Sequence, residues 1–338
     1  MARLSSIFPA ATRRRPQRAA SELARAALLA LAFATSAGAF DLQGHRGARG
    51  LRPENTLAAF SFALATGVTT LETDLAVTKD NVLVISHEPY LNPDVVRGPD
   101  GRWLAGKGPP IHSLTLAELQ RYDVGRLDPA SAYARSFPEQ RPEDGERFPT
   151  LEQLFALVKG ASRPVRLNLE TKIAPDGSFA TVDPETFAAL VVDAVRKAGL
   201  EREATIQSFD WRTLVAAKKR APEIATVCLT IESARDDTVQ RRADKPSTWL
   251  AGLDLRTVDG SLPRLVKAAG CATWSPSWRN VTKANVEESH ALGLAVLPWT
   301  VDDPRDMARL IDFGVDGLIT DYPDRARRVM ADKGIPLP

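Results

Sequence analysis

The sequence predicts an α/β fold: a (β/α)8 TIM barrel with an insertion after a hairpin on its second strand. Three observations carry that expectation. Short runs rich in Val, Ile, Leu and Thr alternate with amphipathic segments long enough for helices, the pattern of a parallel sheet with helical crossovers. One of the nine strand-like runs is separated from its predecessor only by Thr78-Lys79-Asp80-Asn81, too short for a parallel crossover, so it returns as a hairpin and leaves eight barrel strands. Neither G-x-G-x-x-G nor G-x-x-x-x-G-K-[ST] occurs, which removes support for an open nucleotide-binding sheet.

In chain order, strands are expected over 42–45, 70–77 with its return over 82–86, 165–170, 204–208, 225–230, 271–275, 295–301 and 317–321. Helices are expected over 56–66, 151–158, 184–198, 211–220, 263–269, 283–292 and 303–313. Gly67, Gly199, Gly293 and Gly314 follow the ends of four of them, where a left-handed cap favours glycine. From about 88 to 148 the rhythm breaks into Pro, Gly and charge, with one helical segment over 115–122. We read this stretch as an insertion over the catalytic face rather than as a separate core. The barrel domain is expected over 40–332.

Residues 1–39 read as an address. They hold six arginines and a single acid, Glu22, then the apolar run AALLALAFA and a small-residue ending at Ala39. This basic–apolar–A-x-A order is that of a secretory signal peptide, with cleavage after Ala39 and a periplasmic or secreted destination. The apolar run is too short to span a bilayer, so no stable membrane anchor is expected. The chain carries Lys+Arg 44 against Asp+Glu 42, a net +2 that offers no bulk attraction for nucleic acid. Cys228 and Cys271 could pair in an exported protein or stay as buried thiols, and their spacing does not choose.

The chemistry-bearing residues cluster at predicted strand ends, where barrel active sites sit. Glu72 and Asp74, two apart on a strand, point to one face. Glu170 and Lys172 repeat the spacing on the next barrel strand. Carboxylates converging at one mouth would repel unless a hard cation such as Ca2+ or Mg2+, which takes oxygen ligands, neutralised them. His45 ends the first strand, and His87 ends the hairpin return beside Glu72 and Asp74. Two imidazoles flanking a cation could serve as general acid and base. Arg46 and Lys172 add positive charge suited to a phosphoryl group, although salt bridges to neighbouring acids would explain them equally. His112 and His290 are read as ordinary hydrogen-bonded residues.

Several motifs in order resemble the glycerophosphodiester phosphodiesterase family. They are Gly44-His45-Arg46-Gly47, Pro53-Glu54-Asn55-Thr56, Glu72-Thr73-Asp74, Lys79-Asp80 and His87. Downstream come Asn168-Leu169-Glu170-Thr171-Lys172, Gln207-Ser208-Phe209-Asp210, Trp299-Thr300-Val301-Asp302 and Asp316-Gly317-Leu318-Ile319-Thr320-Asp321-Tyr322-Pro323. The resemblance implies the barrel with its insertion, and hydrolysis of a small glycerophosphodiester to glycerol 3-phosphate and an alcohol. It implies Glu72, Asp74 and Glu170 as ligands of Ca2+ or Mg2+, and His45 and His87 as the acid/base pair. It further implies phosphate contacts from Arg46 and Lys172, an orienting Glu54, and an apolar wall for the glycerol carbons at Trp299. The family's usual route has the glycerol 2-hydroxyl attack phosphorus, giving a cyclic phosphate that water opens. His87-Glu88 stands where the family often has His-Asp. A lysophospholipase D or phospholipase-type phosphodiesterase on the same barrel would need an apolar groove, and apolar residues are sparse over 88–148. A glycoside hydrolase would leave both histidines idle. A non-catalytic binding protein would be expected to lack one of these positions.

Overall fold

The computed structural model describes residues 1, 2 and 39–338; the expected signal segment over 1–39 therefore lies almost wholly outside the described residues. Strands β1 (Asp41–Gly44), β2 (Thr70–Val77), β3 (Leu83–Ile85), β4 (Arg166–Thr171), β5 (Ala204–Ser208), β6 (Ala225–Thr230), β7 (Thr273–Pro276), β8 (Ala295–Val296) and β9 (Gly317–Thr320) form one sheet. Its order is β8-β7-β6-β5-β4-β2-β1-β9, all parallel, with β3 antiparallel on β2. Bonds from Asp316 N to Val296 O (3.0 Å) and Ile319 N to Pro298 O (3.0 Å) bring the two ends together into a nearly closed barrel.

The seventh barrel strand, β8, is shorter than the run expected over 295–301. Pro298 has no N–H to give the ladder. Its neighbours bond alternately to either side: Trp299 N to Pro276 O at 3.1 Å and Val301 N to Ile319 O at 3.0 Å.

The helices stop and start where side-chain chemistry allows. Thr56 Oγ1 accepts from Ala59 N (3.1 Å) to begin Leu57–Thr66, which Gly67 ends at φ 97°. Asp183 caps Pro184–Ala198, and Thr150 with Gln153 forms a capping box on Leu151–Lys159. One helix was not expected: Pro323–Asp332, which follows β9 and buries Ala326, Val329 and Met330. It completes eight strand–helix pairs. Apolar helix faces (Phe60, Leu154, Phe187, Trp211, Leu265, Leu310) pack on outward strand residues such as Leu71, Leu167 and Ile206 in one continuous core.

The stretch over 88–148 departs from the expectation of no separate core. Leu91, Val96, Ile111, Leu119, Val124 and Phe148 cluster with Ala76 and Val84 of the β2–β3 hairpin. The hairpin's outer face would otherwise expose apolar side chains to water, so the segment covers it. Cys228 and Cys271 are joined in a disulfide that ties β6 to the turn before β7 across 43 residues.

Candidate active site

Register explains why the acids meet. In the β2–β4–β5 ladders Glu72 pairs with Asn168, Asp74 with Glu170, and Glu170 with Gln207, so the same face of each strand turns into the barrel. Carboxylate oxygens of Glu72, Asp74 and Glu170 all lie within 4.8 Å of one another, each residue buried. Gln207 Nε2 donates to Glu72 Oε1 (2.7 Å) and is itself held by Asn168 Nδ2 (2.9 Å). Asn55 Nδ2 donates to Asp74 Oδ2 (2.9 Å), while Asp74 Oδ1 is buried with no hydrogen-bond partner.

Burial and neighbouring charge push the pKa values of the three carboxyls apart. Burial, then Asp74 and Glu170, pushes the Glu72 carboxyl well above the usual carboxylate range. Burial also raises Glu170 despite its bond from Lys172 Nζ at 2.7 Å. Asp74 goes the other way: burial opposes its charge, but Arg46, His87, Lys172 and the Asn55 amide outweigh it. Were Glu54, Glu72, Asp74, Glu170 and Asp321 all ionised, they would exceed Arg46, Arg49 and Lys172 by five minus three, two negative charges, and that repulsion is part of what raises Glu72 and Glu170. A hard divalent cation fits that deficit, an all-oxygen donor set and the orphaned Asp74 oxygen.

The loop after β1 places the positive groups. Arg46 adopts φ 51° and Gly47 φ 87°, left-handed values that turn the chain back over the barrel. A Cβ on Gly47 would meet the Ala59 backbone at 2.8 Å, so only glycine lets the loop lie on its helix. Arg46 then donates its backbone N–H to Glu72 Oε2 (3.0 Å) and Nη1 to Glu54 Oε1 (2.7 Å). Lys172 keeps its charge because Glu170 and Asp74 outweigh its burial.

Each histidine is oriented through Nδ1. His45 Nδ1 lies 2.6 Å from Asp321 Oδ1, and His87 Nδ1 lies 2.8 Å from Glu88 Oε1. A neutral ring that donates Nδ1–H to its carboxylate keeps Nε2 as the free basic atom. Burial lowers His45 against the opposing pull of Asp321. Desolvation, then Arg46 and Lys172, pushes His87 down to about 4, although its side chain is 30% exposed at the mouth.

His45, Arg46, Glu72, His87, Glu170, Lys172 and Trp299 line one cavity of about 180 Å³. Glu54 and Asp74 adjoin it through Arg46. All nine predicted site residues are thus brought to one place. Trp299 presents its ring edge-on to Phe209 (5.3 Å between centroids) and anchors Nε1 on Ser275 O (2.9 Å). His112 and His290 lie elsewhere: His112 Nδ1 sits 3.2 Å from Val77 O, and His290 Nε2 sits 2.9 Å from Asp316 Oδ2.

Four contributors were not singled out from sequence. Asp321 orients His45, and Arg49 forks onto Asp321 through Nε (2.9 Å) and Nη2 (2.8 Å). Asp321 directly follows the last barrel strand, so its position at a strand's carboxyl end was a usable signal. Asp302 Oδ1 accepts from Asp321 N at 2.9 Å. Tyr133 arrives from the segment over 88–148, where no periodicity pointed to it.

Comparison with known proteins bears on the family and the fold. The model of the glycerophosphoryl diester phosphodiesterase family matches residues 45–325. A glycerophosphodiester phosphodiesterase of Caldanaerobacter subterraneus is 28% identical over 280 residues, 83% of this chain and 93% of its own. A crystal structure of a candidate glycerophosphoryl diester phosphodiesterase from Silicibacter pomeroyi superposes with TM-score 0.78 at 36% identity, covering 88% of this chain and 95% of that one. An Oleispira antarctica phosphodiesterase, solved in complex with the product sn-glycerol-3-phosphate, matches at TM-score 0.63 and 25% identity over 86% and 96% of the two chains.

Proposed function

The chain belongs to the glycerophosphoryl diester phosphodiesterase family and is a phosphoric diester hydrolase; from that premise we propose that it cleaves water-soluble glycerophosphodiesters to glycerol 3-phosphate by paired histidine catalysis beside a carboxylate-bound Ca2+ or Mg2+. The observation that carries the reading is the placement of His45 and His87 on one cavity with Glu72 and Glu170 in its wall.

Glu72, Asp74 and Glu170 would hold the cation, which supplies Lewis-acid charge stabilisation at phosphorus when bound. Arg46 and Lys172 bind the phosphate oxygens, and Trp299 with Phe209 gives the glycerol carbons an apolar wall. His87, neutral down to about 4, takes the proton of the glycerol 2-hydroxyl at Nε2 as that oxygen attacks phosphorus. The bond from phosphorus to the alcohol oxygen breaks, and His45, which takes up a proton at Nε2 as the anionic phosphodiester enters, donates that proton to the leaving oxygen. Asp321 on Nδ1 supports the charged His45 ring, and the incoming phosphodiester adds further negative charge. Water opens the cyclic phosphate with the two roles exchanged.

A deacylated substrate is favoured because Leu91, Val96, Ile111, Leu119, Val124 and Phe148 are used in covering the β2–β3 hairpin. No helix among the described residues is long and apolar enough to cross a membrane. The leader over 1–39 and the paired cysteines support a periplasmic or secreted enzyme.

The test is a hydrolysis panel over choline, ethanolamine, glycerol and inositol diesters, with glycerol 3-phosphate detected by a coupled dehydrogenase. His45→Ala and His87→Ala should each lose roughly 10²–10⁴-fold in kcat. Full activity in either variant contradicts the proposed roles.

A further inference from the structure

Beyond Glu88, whose carboxylate orients His87, the segment over 88–148 also reaches the site through a tyrosine. Tyr133, on the helical turn Ala132–Ser136, donates its hydroxyl to Glu54 Oε2 and accepts from Arg49 Nη1 at 3.1 Å. Arg46 Nη1 stands 3.4 Å from the same oxygen. The ring is seated edge-on against Phe137 (5.1 Å), and the Arg49 guanidinium stacks over Phe137 at 4.7 Å. Bonds from Gln140 Nε2 to Arg49 O (2.7 Å) and Arg141 N to Leu51 O (3.0 Å) tie the stretch to the loop after β1.

We propose that Tyr133 is a positioning residue for phosphate binding: by occupying the second oxygen of Glu54 it stops that carboxylate from chelating Arg46. A free carboxylate takes a guanidinium through two parallel bonds, which would turn Arg46 away from a substrate. Here Arg46 gives Glu54 only Nη1, while its Nε faces Asp74 Oδ2 at 3.3 Å instead of the second Glu54 oxygen. The inserted segment thereby contributes to a site otherwise built from the barrel strands and their adjoining loops. This rests on the reading of Arg46 as a phosphate contact.

The probe is sn-glycerol 3-phosphate, titrated calorimetrically into wild type and Tyr133→Phe, alongside steady-state hydrolysis of glycerophosphocholine. Tyr133→Phe should weaken binding of the probe and raise KM by about tenfold each, with kcat changed less than about threefold and an unaltered thermal midpoint. Equal affinity and equal KM overturn the proposal, as does a lowered thermal midpoint with unchanged affinity, which would make the role structural. If Tyr133→Phe does not fold, Phe137→Leu keeps the hydroxyl but loosens its seat, and must weaken binding in the same direction; no change there also overturns it. Because binding is read without turnover, an inactive wild type would instead refute the proposed function.

Discussion

At the residue scale, strand parity does most of the work. Glu72 and Asp74 share a face because they are two apart, and Glu170 joins them because Asp74 and Glu170 are ladder partners. The first half was legible in the sequence and the second needed the register. Asp321 is a different case: its letter was visible in the Thr320-Asp321-Tyr322-Pro323 motif, but the 276 residues separating it from His45 hid its partner. Asp321→Asn should lose roughly 10²–10⁴-fold in kcat, because an amide can donate to Nδ1 and leave the wrong ring nitrogen protonated. Unchanged kcat would remove Asp321 from the account. Asp302, beside Asp321, is pushed up to about 7 by burial and by that neighbour's charge. Its native carboxyl therefore holds a proton that the unfolded chain releases near the ordinary 3.8. Stability from this group falls as pH rises from about 4 through about 7. Thermal midpoints from pH 5 to 8 should fall for wild type relative to Asp302→Asn, whose amide can still accept from Asp321 N; parallel curves would contradict this.

At the element scale, the barrel strands and most helices were readable because period-2 and period-3.6 patterns alternate and end on glycine or capping residues. The misses have local causes. The C-terminal helix Pro323–Asp332 is strongly charged, so its four buried positions gave little signal. The segment over 88–148 folds around the β2–β3 hairpin through scattered single residues such as Leu91 and Phe148, which no period marks. The disulfide was undecidable from spacing and follows from β6 and β7 being neighbours. With a sequence separation of 43 between the cysteines, chain-entropy arguments give it roughly 4 kcal/mol. Urea unfolding of the oxidised protein against Cys228→Ala/Cys271→Ala should show a loss approaching that size, and equal stabilities would show that the crosslink adds nothing.

At the scale of the whole molecule, the net +2 describes the N-terminal segment more than the barrel. Taking the six arginines and one acid of residues 1–39 from totals of 44 and 42 leaves 38 bases and 41 acids. The remaining chain is mildly acidic, and three of its cations are drawn into one site. Export predicts that N-terminal sequencing of the processed protein begins at Phe40; an intact Met1 in an extracellular or periplasmic fraction would contradict cleavage there. The carboxylates of Glu72, Asp74 and Glu170, which would exceed the neighbouring cations when all are ionised, make a divalent cation the account's central claim. Its most direct test is hydrolysis of glycerophosphocholine by protein stripped with EDTA, before and after addition of Ca2+ or Mg2+. The account predicts at least a hundredfold loss on stripping, recovery on addition, and no recovery in Asp74→Asn. Full turnover in the presence of chelator would contradict it.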